Sequence, residues 1–196
     1  KLTSDKLFIS ANNYIGKRKT KFSVVRYGNV MGSKGSIVPI LLKEKSKGTF
    51  SITDKNMTRF NITMRQSIDF VIKCLKLMRG GEIFVPKIPS YKLIDLVKAV
   101  SDSSNPKINL IGIRPGEKLH EEMISVNDAL NTVEFQNHYV IVPSSEFLNW
   151  SYKDYLKSHK NGKKCPSNFS YSSDKNKKFL TVQEIKTLLK KNILKN

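Results

Sequence analysis

The stretch that most constrains this chain is RYGNVMGSKGSIVP, residues 26–39. Ahead of it, KFSVVR (residues 21–26) is rich in β-branched and aromatic side chains and predicts a short buried strand. Gly28, Asn29, Gly32 and Gly35 follow, residue types that admit positive φ and let the backbone approach a ligand closely. Ser36 then stands at an N-cap position. Ile37, Val38, Ile40, Leu41 and Leu42 open an apolar helical face, with Pro39 in the first turn, where proline is tolerated. Strand, glycine-rich loop and helix N-terminus in succession are how an open α/β sheet holds a ligand at the carboxyl ends of its strands. A plain connecting loop also fits this stretch taken alone.

The 196 residues suffice for one α/β domain with its own core, or for part of a larger one. No apolar run reaches the roughly 18 residues a membrane span needs, and no signal peptide is visible. Cys74 and Cys165 lie far apart, which is neither a disulfide framework nor a zinc spacing; a reducing cytoplasm is the expectation, with no metal. Four N-x-S/T sequons read as chance products of an Asn- and Ser-rich sequence. The net charge of +19 invites a nucleic-acid reading, but only six of the 35 basic residues are Arg, and the excess is spread along the chain. No helix-turn-helix, zinc-finger or aromatic RNA-binding signature accompanies it, so compositional bias is preferred and no nucleic-acid partner is expected.

Taken in order, residues 2–14 carry a partly apolar helical face closed by Gly16. The chain opens mid-helix, which reads as a fragment lacking its N-terminal part. After a helix to about residue 47, a strand is predicted over 49–53, then a polar loop, DKNMTRFNIT. Thr63 and Gln66 have capping-box spacing ahead of a helix over 64–78, with Ile68, Val71, Ile72, Leu75 and Met78 on one face. EIFV (82–85) is the next strand, Ser90 caps a third helix, and INLIGI (108–113) and YVIV (139–142) are further strands. Residues 151–178 lack periodicity and read as a surface extension or a disordered link, before a last helix with Thr181 and Glu184 in a capping box. Helices alternating with short apolar strands place residues 1–143 in the α/β class.

Three arginines stand in informative places: Arg26 at a strand end, Arg59 in the polar loop, and Arg114 before the Pro115-Gly116 turn. Guanidinium forks suit diphosphates, because they bind bidentately and stay charged. Surface ion pairing is the plainer role for each. His120 lies in HEEMI, which lacks the second histidine of HExxH, and reads as a turn or packing residue. Glu121-Glu122 reads as a charge cluster. There is no Ser-His-Asp arrangement and no GxGxxG.

RYGNVMGSKGSIVP, MTRFNIT, GEIFVPKIPS and IGIRPGEKLHEEM, in this order, resemble the nucleotide-sugar branch of the extended short-chain dehydrogenases. More narrowly, they are similar to the inverting UDP-N-acetylglucosamine 4,6-dehydratases and related polysaccharide-biosynthesis proteins. The resemblance implies an α/β fold: a Rossmann-type sheet edge plus a smaller α/β substrate-binding domain. Its divisions are residues 1–48, the C-terminal portion of an NADP-binding domain; 49–143, the nucleotide-sugar region; and 144–196, a Lys-rich extension with a terminal helix. It implies that hydride leaves sugar C4 for NADP, water is lost across C5–C6, and hydride returns to C6 with inversion at C5.

By the same resemblance, Lys1 matches the catalytic lysine of a Tyr-x-x-x-Lys motif; it would hydrogen-bond the nicotinamide ribose and lower the pKa of that tyrosine by its charge. Tyr27, Gly28 and Val30 would line the nicotinamide. Asn29 would meet the substrate, and Ser33, Lys34, Gly35 and Ser36 would lie over the uridine diphosphate. Arg59 and Arg114 would grip the diphosphate, with Glu117 or Lys118 at the ribose or ordering the loop. The acid, second lysine and tyrosine of the family's chemistry are absent, so this polypeptide alone is expected to be inactive, and the full-length enzyme to be a homo-oligomer. A 4-epimerase of the same fold and a membrane-associated polysaccharide-biosynthesis dehydratase are the near alternatives. A non-catalytic basic module for nucleic acid or anionic polymer is the distant one.

Overall fold

The computed structural model describes residues 2–101, 103, 105–143 and 150–193. Helix α1 (Leu2–Ser10) continues into a 3-10 turn, Ala11–Tyr14, and Gly16 at φ +58° turns the chain out of it. Then come β1 (Val24–Val25), β2 (Asn29–Val30), α2 (Ile37–Lys45), β3 (Thr49–Ile52), β4 (Thr58–Ile62) and α3 (Met64–Leu77). The middle of the chain forms β5 (Ile83–Pro86), β6 (Ser90–Lys92), α4 (Leu93–Val100), β7 (Lys107–Leu110), β8 (Glu122–Ile124) and α5 (Val126–Ala129). The last stretch gives β9 (Thr132–Glu134), β10 (His138–Ile141), α6 (Tyr152–Ser158), β11 (Lys163–Lys164), β12 (Tyr171–Ser172) and α7 (Val182–Asn192). The α/β class stands, with both parallel and antiparallel strand pairs.

Contacts divide the chain into two units, each assembled from three separated stretches. The first comprises residues 1–27, 68–87 and 123–170; the second comprises 28–67, 88–122 and 171–196. Each unit thus draws on stretches separated along the chain.

In the first unit the strand order is β1-β5-β10-β9-β11, with β1 parallel to β5 and the other neighbours antiparallel. Its core gathers Cys74, Phe84, Val133, Val140, Val142 and Tyr155. The fork of Arg26 is occupied within this unit: Nε donates to Asp5 at 2.7 Å, and Nη1 to Asp128 at 3.1 Å and to the Met123 carbonyl at 2.9 Å. Glu82 is fully buried and accepts from Ser23 and from the backbone N–H groups of Arg79 and Gly80, which fixes the double-glycine turn. Burial raises the Cys74 thiol to about 12 and the Cys165 thiol to about 11, so neither is a ready nucleophile. On α3, Phe70, Cys74 and Leu77 pack on this core, while Ile68, Val71, Ile72 and Leu75 are exposed. Four residues of the stripe read from the sequence therefore form the outer face of that helix, while Met78, just past its end, packs on the core.

In the second unit β2 runs parallel to β4, β4 antiparallel to β6, and β3 parallel to β7. Val38 and Leu41 of α2, Leu96 and Val97 of α4, and Ile185 and Leu189 of α7 join Phe50 and Ile52 in its core. Three expectations change here. The polar loop contains strand β4, whose Phe60 and Ile62 are buried and whose polar groups find partners, so hydrophilic composition masks a core strand. Ser90 opens β6 rather than capping a helix; α4 starts after Lys92, and the Ser90 backbone bonds to Lys178 and Leu180. Segment 151–178 carries α6 and β11 in the first unit and β12 in the second, and buries Tyr155, Cys165, Tyr171 and Ser173. Both capping boxes form: Thr63 with Gln66, and Thr181 with Glu184.

Candidate functional site

The glycine-rich stretch folds as two successive turns. Ser33 N–H donates to the Val30 carbonyl at 3.2 Å, and Ser36 N–H to the Ser33 carbonyl at 2.9 Å. Gly32 (φ +75°) and Gly35 (φ +80°) occupy the third position of each, where a left-handed conformation is required. Lys34 and Gly35 are exposed at the tip. Ser36 holds the N-cap position of α2 with φ −75° and ψ 165°, but its hydroxyl caps no helix N–H. That hydroxyl is buried with no partner among the described residues, in a small crevice also lined by Asn29, Asn61 and Tyr91.

Strand β4 carries Arg59 close to this loop, because β2 and β4 pair with Asn29 opposite Asn61. The guanidinium of Arg59 donates to the carbonyls of Thr58 (2.7 Å), Leu119 (3.0 Å) and Lys118 (2.9 Å). It also lies 3.9 Å from the carboxylate of Glu117 and 3.5 Å from that of Glu121. Arg59 thus holds segment 114–121 to the strand. Within that segment, Glu117 N–H donates to the Arg114 carbonyl at 2.9 Å across Pro115 and Gly116 (φ +79°), the turn expected of Pro-Gly. Glu117 also meets Thr53 Oγ1 at 3.5 Å and the Arg114 N–H at 3.3 Å, so it orders its own loop. Arg114 is exposed, and the Lys118 carbonyl is one of the acceptors that Arg59 engages.

Hydrogen-bonding neighbours orient the Asn29 amide so that Nδ2 donates to both oxygens of Glu121 at 3.1 Å. The backbone of Glu121 is itself fixed by Ser173: Glu121 N–H donates to Ser173 Oγ at 2.9 Å, and Ser173 N–H to the Glu121 carbonyl at 2.7 Å. Ser173 Oγ lies 2.7 Å from Thr58 Oγ1, which lies 2.8 Å from His120 Nδ1. Nearby, burial pushes the Tyr91 phenol above its ordinary range, with Arg59 lowering and Glu121 raising it.

The second unit therefore brings together Asn29, Ser33, Ser36, Arg59, Arg114, Glu117 and Lys118, along with two residues that sequence reasoning passes over. Glu121 reads as surface charge and Ser173 as part of a polar extension; neither carries a local signal, because their partners are distant in the chain. Four residues are expected at a nicotinamide: Lys1, Tyr27, Gly28 and Val30. Lys1 lies outside the described residues, and Val30 is half-buried in β2. Tyr27 exposes 41% of its surface. A Cβ added at Gly28 would meet the Phe60 Cβ at 2.3 Å, so this glycine serves the approach of β4 to its neighbour strand.

Fold and site together define an α/β protein whose polar junction is made by glycine-rich turns, a half-buried arginine and an Arg-Pro-Gly turn. The family model described as "Polysaccharide biosynthesis protein" matches residues 1–143, and the chain belongs to that family. It is 47% identical over 188 residues to a UDP-N-acetylglucosamine 4,6-dehydratase (inverting) of Campylobacter jejuni, covering 94% of this chain and 56% of the relative. An uncharacterized membrane protein of Methanocaldococcus jannaschii is 40% identical over 97% of this chain and 55% of its own length. A UDP-glucose 4-epimerase of Rickettsia bellii is 33% identical, over 96% and 55% respectively. Among solved structures, the X-ray structure of Pen from Bacillus thuringiensis matches with a TM-score of 0.82 and 31% identity, over all of this chain and 57% of that one. The chain thus spans a little over half the length of these relatives. Among the described residues no helix is long and apolar enough to cross a membrane.

Proposed function

We propose that this chain is the nucleotide-sugar-binding part of an NADP-dependent UDP-N-acetylglucosamine 4,6-dehydratase, serving surface polysaccharide or glycan biosynthesis in the cytoplasm. The observation that carries the reading is the junction of Asn29, Arg59 and Glu121, which ties three separate motif segments to one place. The dehydratase is favoured over the 4-epimerase by 47% against 33% identity.

In this reading the side chains around the junction, Lys34, Arg114 and Lys118, supply positive charge to a diphosphate, and Arg59 adds its charge from the strand. The turns over residues 30–36 cover the nucleotide, and Asn29 meets the substrate. Glu117 keeps the Arg114 turn in shape. A nicotinamide cofactor would supply a reversible hydride acceptor. In this reading Lys1, Tyr27, Gly28 and Val30 contribute the nicotinamide end of its site, and the rest of that site belongs to the part of the relatives' length beyond these residues. On the same reading the 196-residue chain binds the nucleotide sugar without turnover, and the longer enzyme works as a homo-oligomer.

Calorimetric titration of the chain with UDP-N-acetylglucosamine, uridine and a single-stranded oligonucleotide tests this. Binding of the nucleotide sugar in preference to the oligonucleotide at about 0.15 M salt is expected. Oligonucleotide binding that collapses with salt, and none of the sugar nucleotide, would establish the basic-module alternative instead.

A further inference from the structure

The junction contains a carboxylate that none of the substrate-facing roles requires. We propose that Glu121 is a positioning residue, fixed by Ser173, that sets the Asn29 amide and the Arg59 guanidinium for a nucleotide-sugar ligand; this rests on the reading above. Three observations carry it. Both Glu121 oxygens lie 3.1 Å from the Asn29 amide, and because a carboxylate only accepts, the amide nitrogen is assigned to that side and the carbonyl oxygen away from it. The same carboxylate lies 3.5 Å from Arg59 Nε, while Nη1 of that guanidinium donates to the Thr58 and Leu119 carbonyls. The backbone of Glu121 is held at both its N–H and its carbonyl by Ser173, which is wholly buried and bonded in turn to Thr58.

An asparagine amide can turn over and exchange its donor for its acceptor at small cost unless a neighbour discriminates between them. A carboxylate, which only accepts, is such a neighbour. Glu121 thereby decides that Asn29 presents an acceptor on its other side, which suits a ligand hydroxyl or amide N–H rather than a phosphate oxygen. It also anchors the charge of Arg59 at Nε, while the Thr58 and Leu119 carbonyls on Nη1 hold the guanidinium plane against rotation about Cδ–Nε. Ser173 explains why the polar extension matters here, because it brings a clamp from 52 positions further along the chain to the Glu121 backbone.

The test uses the 196-residue chain and a double-substitution cycle read in UDP-N-acetylglucosamine affinity. Glu121→Ala is expected to weaken binding about tenfold, and Glu121→Gln by less, since its carbonyl still accepts from Asn29. In an Asn29→Ala background the Glu121→Ala loss should shrink to about threefold or less, because one of the two positioned groups is gone. Equal losses in both backgrounds would overturn the proposal. A second readout needs no ligand: the Asn29 side-chain amide resonances of the free chain should shift and exchange faster in Glu121→Ala, with thermal midpoint unchanged. Unmoved resonances would overturn it. If the unsubstituted chain binds no UDP-N-acetylglucosamine, the functional reading fails, and the amide resonances still decide whether Glu121 fixes Asn29.

Discussion

Arg59 of the second unit and His138 of the first are both nitrogen bases set into packed surroundings, and their environments differ in kind. Arg59 is surrounded by acceptors: three carbonyls accept from its fork, and two carboxylates lie within 3.9 Å. His138 is surrounded by rings. Phe135 stacks on it at 4.8 Å with planes 11° apart, Phe84 lies 6.5 Å away, and Phe70 meets it edge-on at 6.2 Å. Its Nδ1 is buried with no partner among the described residues. Burial, reinforced by Lys73, Lys87 and His159, lowers its pKa from 6.5 to about 4. A charge matched by polar partners fixes geometry, as a buried network does when every member is satisfied. A base placed among rings stays neutral, and folding there becomes sensitive to protons.

That contrast breaks most sharply at the packing around Arg59. Gly28→Ala drives a Cβ against the Phe60 side chain at 2.3 Å and its backbone at 3.0 Å, and backbone does not yield cheaply. A loss of about 3 kcal/mol is expected, read from urea midpoints. A loss below about 1 kcal/mol would mean that β2 and β4 slide apart freely, and the junction would then owe little to strand packing.

The next effect belongs to the first unit. The folded-state pKa of His138 lies below the unfolded value, so between pH 6.5 and about 4 the unfolded chain binds more protons and stability falls with pH. The stabilisation is complete above pH 6.5 and gone below about 4, with a magnitude on the order of 2 kcal/mol after allowance for solvent screening. Urea unfolding at about pH 7 and about pH 4.5 measures it. His138→Phe should flatten the dependence in that window; an unchanged slope would show that another group carries it. A smaller loss, about 1.5 kcal/mol, is expected for Ser173→Ala, which strips partners from the Glu121 N–H and from Thr58. Faster exchange of the Glu121 amide would accompany it.

These elements also mark how far the sequence is readable. Helix α2 and the capping boxes of α3 and α7 are legible because their signals lie within about four residues of the structure they cause. Strand β4 is not: TRFNI reads as polar, and the partner of its Thr58 hydroxyl, Ser173, stands 115 positions away. Separation along the chain likewise hides Glu121, 52 positions from Ser173, and the elements of segment 151–178. The apolar stripe on α3 exists but faces outward, since periodicity shows that a helix has two sides without showing which one packs. Family resemblance locates Asn29, Arg59 and Arg114, but the network binding the first two to Glu121 is a product of three dimensions.

The smallest effect sharpens the contrast by separating local order at the junction from global stability. Thr181 and Glu184 cap α7 reciprocally, with Thr181 N–H donating to Glu184 at 2.8 Å and Glu184 N–H to Thr181 Oγ1 at 3.2 Å. In the first unit, Ser151 and Asp154 cap α6 in the same manner, at 2.9 Å and 3.3 Å. Each cap is worth about 1 kcal/mol on truncation to alanine. Helix α7, however, buries Ile185 and Leu189 against the second unit's core, and the segment entering it holds the Ser90 backbone through Lys178 and Leu180. Thr181→Ala should therefore speed exchange at the Ser90 and Glu121 amides, while Ser151→Ala, of equal cost, should leave both unchanged. Equal acceleration by the two substitutions would mean that the junction feels only global stability, and the clamp at Ser173 would lose its separate standing.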